Sequence, residues 1–233
     1  MANDTPLLAV LIDADNVPAR FAEAILKEIT AYGEPALRRV YGDWSSQRLA
    51  PWKGKVQELG LVAHQESANT KGKNASDIGL VIDAMDLLHT GRFDGFVLVS
   101  SDSDFTSLAN RIREQGMTVI GIGEGKTPES LRNVCSRFVM IENIVEEPAQ
   151  KGETKKGKRS VSDAIPLIFN AMEKIDQDGE WFQLGQIGQT IQADNRDFDT
   201  RTYGRAKLSD LIRDTKRFET KREGNHIVIR RLD

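Results

Sequence analysis

Leu7-Leu8-Ala9-Val10-Leu11-Ile12 runs directly into Asp13-Ala14-Asp15-Asn16, and much later Gly95-Phe96-Val97-Leu98-Val99-Ser100-Ser101 runs into Asp102-Ser103-Asp104-Phe105. Apolar runs this short, ending abruptly in carboxylates, read as buried parallel strands that deliver acids to the carboxyl edge of a sheet. In open α/β sheets ligands bind at that edge. Carboxylates gathered there repel one another unless they share protons or a cation, and their hard oxygen atoms suit Mg²⁺ or Mn²⁺. The pattern points to metal-dependent phosphoryl chemistry. Within each pair the acids are two residues apart, so they share a face only while the strand stays extended. A turn redirects them, which leaves Asp13 and Asp102 as the acids that strand geometry itself places.

Working outward from these strands, apolar runs and helical patterns alternate over the first part of the chain. The expected order is strand 7–12, helix 18–32, strand 37–41, a helix within 44–59, strand 61–64 and helix 76–89. Strand 95–100, helix 104–115, strand 117–122, a short helix 128–134 and a last run 138–141 follow. Repeated strand–helix units of this length predict an α/β fold, a parallel sheet flanked by helices. The stretch from Glu146 to Arg159 has no aliphatic residue larger than alanine and reads as a polar linker. Beyond it, helices at 161–175, 184–192 and 203–214 and strands at 217–221 and 226–230 fit a small winged-helix domain. The expected domains are therefore 1–146 and 160–233, joined by a linker at 147–159.

Composition bounds the partners. With 39% hydrophobic and 29% charged residues the chain reads as globular, and no stretch is apolar and long enough to span a bilayer. The opening residues lack the basic and apolar segments of a secretory leader. A single cysteine, Cys135, excludes an internal disulfide and fits a reducing cytoplasm. Residues 1–150 hold 15 Lys and Arg against 21 Asp and Glu, whereas residues 151–233 hold 17 against 14. An acidic first part and a basic second part suit a metal site joined to a phosphate-tolerant module.

A further acid comes from Lys71-Gly72-Lys73-Asn74-Ala75-Ser76-Asp77. Ser76 reads as a helix cap with Asp77 in the first turn, where the helix dipole alone would account for it. The sharper reading sets the Asp77 carboxylate over the sheet edge beside Asp13 and Asp102. Asp83 lies roughly 240° further round an ideal helix, so Asp83 and Asp86 read as acids of the surface or of the layer behind the site. Lys71 and Lys73 are candidates for holding a phosphate backbone.

Taken together, Leu11-Ile12-Asp13-Ala14-Asp15-Asn16-Val17, the Lys71–Asp77 segment and Leu98-Val99-Ser100-Ser101-Asp102-Ser103-Asp104-Phe105 resemble the three signature segments of NYN domains. These are the LabA/DUF88 group, relatives of PIN nucleases, and the likeness covers about residues 5–145. It implies a PIN-like fold whose acidic pocket binds Mg²⁺ or Mn²⁺ and hydrolyses RNA. By position Asp13, Asp77, Asp102 and Asp104 would be the catalytic and metal-holding set, with Asn16 near the scissile phosphate. The chain departs from the family pattern at Ser101, where glycine is common, and in the longer spacing from Lys71 to Asp77. The resemblance also admits a homodimer.

Three other motifs compete. Asp13-Ala14-Asp15-Asn16-Val17 fits the start of haloacid-dehalogenase-type phosphatases, but Pro18 and a helical pattern follow where those enzymes insert a hairpin. Gly121-Ile122-Gly123-Glu124-Gly125-Lys126-Thr127 has one residue too few between its glycines for a P-loop and reads as a tight turn. His64 has no second histidine at ligand spacing and reads as structural.

In the basic part, Trp181-Phe182-Gln183-Leu184-Gly185 and Tyr203-Gly204…Lys207-Leu208…Leu211, with the closing hairpin, resemble the OST-HTH/LOTUS domain over about 160–233. The likeness implies RNA binding or docking of a protein partner. Arg201, Arg205 and Lys207 at the start of the third helix are the candidate phosphate contacts. Trp181, Phe182, Tyr203 and Phe218 read as core. A non-catalytic RNA-binding adaptor is the rival from another class.

Overall fold

The β1 strand (Leu7–Asp13) is apolar on both faces because helices cover both sides of the sheet it centres. The computed structural model describes residues 5–65, 75–145, 158–175 and 179–232, which fall into two compact units, Met1–Glu146 and Glu147–Asp233. In the first unit β1 is joined by β2 (Glu34–Gly42), β3 (Val62–Gln65), β4 (Gly95–Val99), β5 (Thr118–Gly123) and β6 (Arg137–Met140). All pair in parallel, in the order β3-β2-β1-β4-β5-β6. Helices α1 (Ala22–Ile29), α2 (Ala50–Glu58), α3 (Ala75–His89), α4 (Thr106–Glu114), α5 (Glu129–Val134) and α6 (Ile141–Ile144) flank the sheet.

The strands alternate between two cores. Leu8, Val10 and Ile12 face α1 and α2 through Ile25, Ile29 and Trp52. Ala9 and Leu11 face α3, α4 and α5 through Leu80, Ala84, Leu108, Ile112 and Leu131. Asp13 continues the second parity and so points to the α3 side. The strand order reverses between β1 and β4, and their carboxyl ends open a crevice there. The turn after β1 is Asp13-Ala14-Asp15-Asn16, not a glycine-rich phosphate loop.

Boundaries shift from the sequence pattern where local geometry intervenes. The helix expected at 18–32 begins as a 3-10 turn at Ala19–Phe21 and ends at Ile29. That at 76–89 runs over Ala75–His89. Behind the β4 edge, β5 leads into the glycine-rich turn. A Cβ on Gly123 would lie 2.6 Å from the Ser100 carbonyl oxygen and 2.8 Å from Thr127 Oγ1. Gly123→Ala is expected to cost about 1–3 kcal/mol in urea unfolding, because backbone must move. Gly54→Ala, with open space around it, should match or slightly exceed wild type.

The second unit packs α7 (Ile165–Lys174), α8 (Leu184–Asp194) and α9 (Leu208–Thr215) on a sheet of β7 (Phe182–Gln183), β9 (His226–Arg231) and β8 (Phe218–Glu223), antiparallel in that order. Ser160 and Asp163 form a capping box ahead of α7. Ile168, Ile187, Ile191, Leu211, Ile212, Phe218 and Ile229 fill its core. The helix expected at 203–214 is broken: a 3-10 turn at Thr200–Tyr203 ends on Gly204, whose φ of 73° takes the chain out of helix before α9. Trp181 is not part of this core. Its ring carries Lys221 Nζ at 3.9 Å and the Arg230 guanidinium at 5.0 Å. Among the described residues, no helix is long and apolar enough to cross a membrane.

Candidate functional site

Asp13 is 1% exposed, and its carboxylate is held from four directions. Oδ1 accepts from the Asp15 and Asn16 backbone amides at 3.1 and 3.3 Å. Oδ2 accepts from the Asn16 side-chain amide at 2.6 Å and from the Ser100 hydroxyl at 2.8 Å. Burial raises its pKa above the usual carboxylate range, against the pull of the Asn16 and Ser100 hydrogen bonds. Ser100 Oγ in turn accepts from the Asp102 amide at 3.1 Å, so one hydroxyl ties the ends of β1 and β4 together.

Asp102 opens the 3-10 turn Ser103–Phe105, its Oδ1 accepting from the Asp104 amide at 2.9 Å. Its second oxygen takes no hydrogen bond among the described residues. Asp77 stands in the first turn of α3, half-buried. Its carboxyl is pushed up to about 6, first by burial and then by the charges of Asp13, Asp102, Asp104 and Asp15. The crevice therefore brings four acids within electrostatic reach of Asp77, and their oxygen donors and surplus negative charge are the chemistry that suits a hard divalent cation. Among the described residues, no three of them close into a ready-made metal cage.

The other candidates are placed unevenly. Asn16 is exposed, but its amide nitrogen is committed to Asp13. Lys71 and Lys73 lie outside the described residues. Asp83 is bound by Arg39 and by the Tyr41 hydroxyl, which pins α3 to β2 behind the crevice, whereas Asp86 is exposed. Burial, with Asp83, pushes the Tyr41 hydroxyl above its usual range. His64 stacks on Tyr41 at 5.2 Å, and its carbonyl accepts from the Trp44 indole at 2.8 Å, as a structural residue would. In the second unit Arg201 is tied to the buried Asp199 at 2.6 Å and Arg205 to Asp214. Lys207 is exposed.

Sequence reasoning passed over Ser100 and Arg48. Ser100 was visible as a hydroxyl closing an apolar run. Arg48 reaches Asp15 from a separate loop, at 3.1 Å to its carbonyl and 3.6 Å to its carboxylate, which no local pattern reveals. Cys135, buried with its thiol pushed up to about 12 by desolvation, has no part in the site. Native protein at pH 8 is expected to resist iodoacetamide, with labelling appearing only on unfolding; rapid native labelling would contradict that burial.

A solved structure of a protein of unknown function from Vibrio parahaemolyticus aligns with a TM-score of 0.51 at 20% identity, covering 60% of this chain and 96% of that one. An uncharacterised Nitrosomonas europaea protein, solved by NMR, aligns with a TM-score of 0.30 at 26% identity, over 38% of this chain and 90% of that one. No curated protein matches the chain. The family model of the NYN domain matches residues 7–142, and that of the OST-HTH/LOTUS domain matches 158–229. With the acids of β1, α3 and β4 gathered at the switch point of a six-stranded parallel sheet, the chain belongs to the NYN domain family and carries an OST-HTH/LOTUS domain after it.

Proposed function

We propose that the chain is a Mg²⁺- or Mn²⁺-dependent ribonuclease that hydrolyses RNA phosphodiester bonds at the acidic crevice of its NYN domain, with the OST-HTH/LOTUS domain binding RNA or a protein partner. The observation that carries this reading is the gathering of Asp13, Asp15, Asp77, Asp102 and Asp104 around the carboxyl ends of β1 and β4 and the first turn of α3, where burial and the four other carboxylates raise the Asp77 carboxyl. Such a concentration of negative charge beside a crevice is costly unless a cation or a proton relieves it. Asp77, Asp102 and Asp104 would hold the metal together with Asp13. Asp13 has filled its acceptor positions from its own chain, and Ser100's rotatable hydroxyl is the donor most readily given up. When bound, the cation would supply an activated water and charge neutralisation at the phosphoryl group. Asn16, Lys71 and Lys73 would meet the strand near the cut. Arg201, Arg205 and Lys207 would meet RNA in the second domain. A linker at 147–159, a cytoplasmic setting and a homodimer go with this reading.

The rival is a non-catalytic RNA-binding adaptor. It draws support from the acids' failure to close into a cage among the described residues. Cleavage of internally labelled single-stranded RNA by wild type, Asp13→Asn and Asp102→Asn, in Mg²⁺, Mn²⁺ or EDTA, decides between them. Metal-dependent cleavage lost in both variants supports the ribonuclease. Binding without cleavage in either metal gives the adaptor. Phosphate release from small esters, with internal RNA linkages untouched, would mean a phosphatase.

A further inference from the structure

A site walled by five carboxylates repels the polyanion it is meant to cut, so a fixed cation at its rim has a purpose there. We propose that Arg48 is that cation, and that it grips a backbone phosphate of the RNA strand next to the one the acids attack. The inference deepens the ribonuclease reading and rests on it.

Arg48 sits in the 3-10 turn Gln47–Leu49 between β2 and α2. Its backbone is held firmly. Ser46 Oγ accepts from the Arg48 amide at 3.3 Å, and Leu49 is buried so tightly on Gly42 that a Cβ there would lie 2.5 Å from Leu49 Cδ1. One turn on, the buried Trp52 donates from Nε1 to the Val17 carbonyl at 2.9 Å. The loop is thereby fastened to the segment that follows Asp13. From this base the Arg48 side chain crosses to Asp15, where Nη2 donates to the carbonyl oxygen at 3.1 Å and approaches the carboxylate at 3.6 Å.

What remains of the guanidinium is open. The side chain is 71% exposed, and Nε and Nη1 make no hydrogen bond among the described residues. A pair this exposed contributes little to folding. The bond to a carbonyl, however, fixes the direction of a planar fork whose other donors match two phosphate oxygens. The side chain is thus aimed before the strand arrives, at the outer edge of the crevice where Asp15 contributes to the field on Asp77.

The test uses the full chain carrying Asp102→Asn, so that RNA survives, and a fluorescent oligouridylate titrated in Mg²⁺ at several KCl concentrations. Arg48→Ala is expected to weaken binding about 5–10-fold and to flatten the salt dependence by about 0.7 in slope, one phosphate contact fewer. Arg48→Lys should recover part of the affinity, since charge is kept and the fork is lost. In the cleaving enzyme, Arg48→Ala should raise KM by a similar factor with kcat within about twofold. Unchanged affinity and slope in Arg48→Ala would overturn the proposal and leave Arg48 as a surface ion pair. If binding depends on Arg48 but wild type cuts nothing, the phosphate contact stands and the ribonuclease reading falls. If cleavage is intact and Arg48 is neutral, the reverse holds. No RNA binding at all would sink both.

Discussion

Exchanging Asp102 for asparagine is expected to cut metal-dependent RNA cleavage by about 10³-fold while leaving the unfolding midpoint almost where it was. The two effects separate because the two carboxylate oxygens of Asp102 have different duties. One caps the turn by accepting from the Asp104 amide, and an asparagine carbonyl takes over that bond at a cost of only a few tenths of a kcal/mol. The other takes no hydrogen bond among the described residues, and the Asp102 charge acts on Asp77. Under the proposed function, turning that oxygen into an amide nitrogen would take away a cation ligand and put a donor in its place. Asp13→Asn should differ in kind. There the carboxylate accepts four hydrogen bonds, so an amide in its place sets donor against donor and destabilises the β1–β4 junction as well. Equal loss of stability in the two variants, read by urea unfolding alongside cleavage, would mean that Asp102 is as structural as Asp13.

How the chain announces this arrangement depends on the range over which each signal acts. The acids are legible because a buried strand must be apolar to its last residue: Asp13 breaks the β1 run directly, and Asp102 follows two serines after β4 ends at Val99. Strand and helix alternation follows from the same patterning, and with it the parallel sheet. What the pattern lacks is pairing. That β1 lies between β2 and β4, so that Asp13 and Asp102 share one crevice, depends on two crossovers that no local period encodes. Arg48 was hidden for this reason, since it meets Asp15 only after β2 has paired beside β1. In the second unit the local pattern hides pairing. Arg201 and Arg205 stand in a basic stretch, and the structure pairs them with Asp199 and Asp214. Trp181 looks like core until two cations are seen on its ring.

Asp77→Asn is expected to lower cleavage by about 10²–10³-fold and, at pH 8, to make the protein more stable than wild type. The carboxyl of Asp77 stands at about 6 in the folded chain against the ordinary 3.8 of an unfolded one, so the folded state holds its proton more tightly. Wild-type stability from this group is therefore unaffected below about pH 4. It falls as pH climbs from about 4 to about 6, and stays reduced above that. Half-buried as Asp77 is, screening by water trims the penalty to on the order of 1 kcal/mol, or roughly 2–4 °C in melting temperature. Asparagine cannot ionise and escapes the penalty, so the variant should melt higher at pH 8 and level with wild type at pH 4. Burial, with the neighbouring carboxylates, outweighs what the amino end of α3 offers a negative charge. A bound cation relieves the same repulsion, so Mg²⁺ should raise the melting temperature of wild type at pH 8 by more than that of the variant. Matching melting curves at both pH values would show that burial and the other four acids do not press on Asp77 as the crevice implies. A gain at pH 8 with full cleavage would remove Asp77 from the catalytic set while leaving the electrostatic account in place.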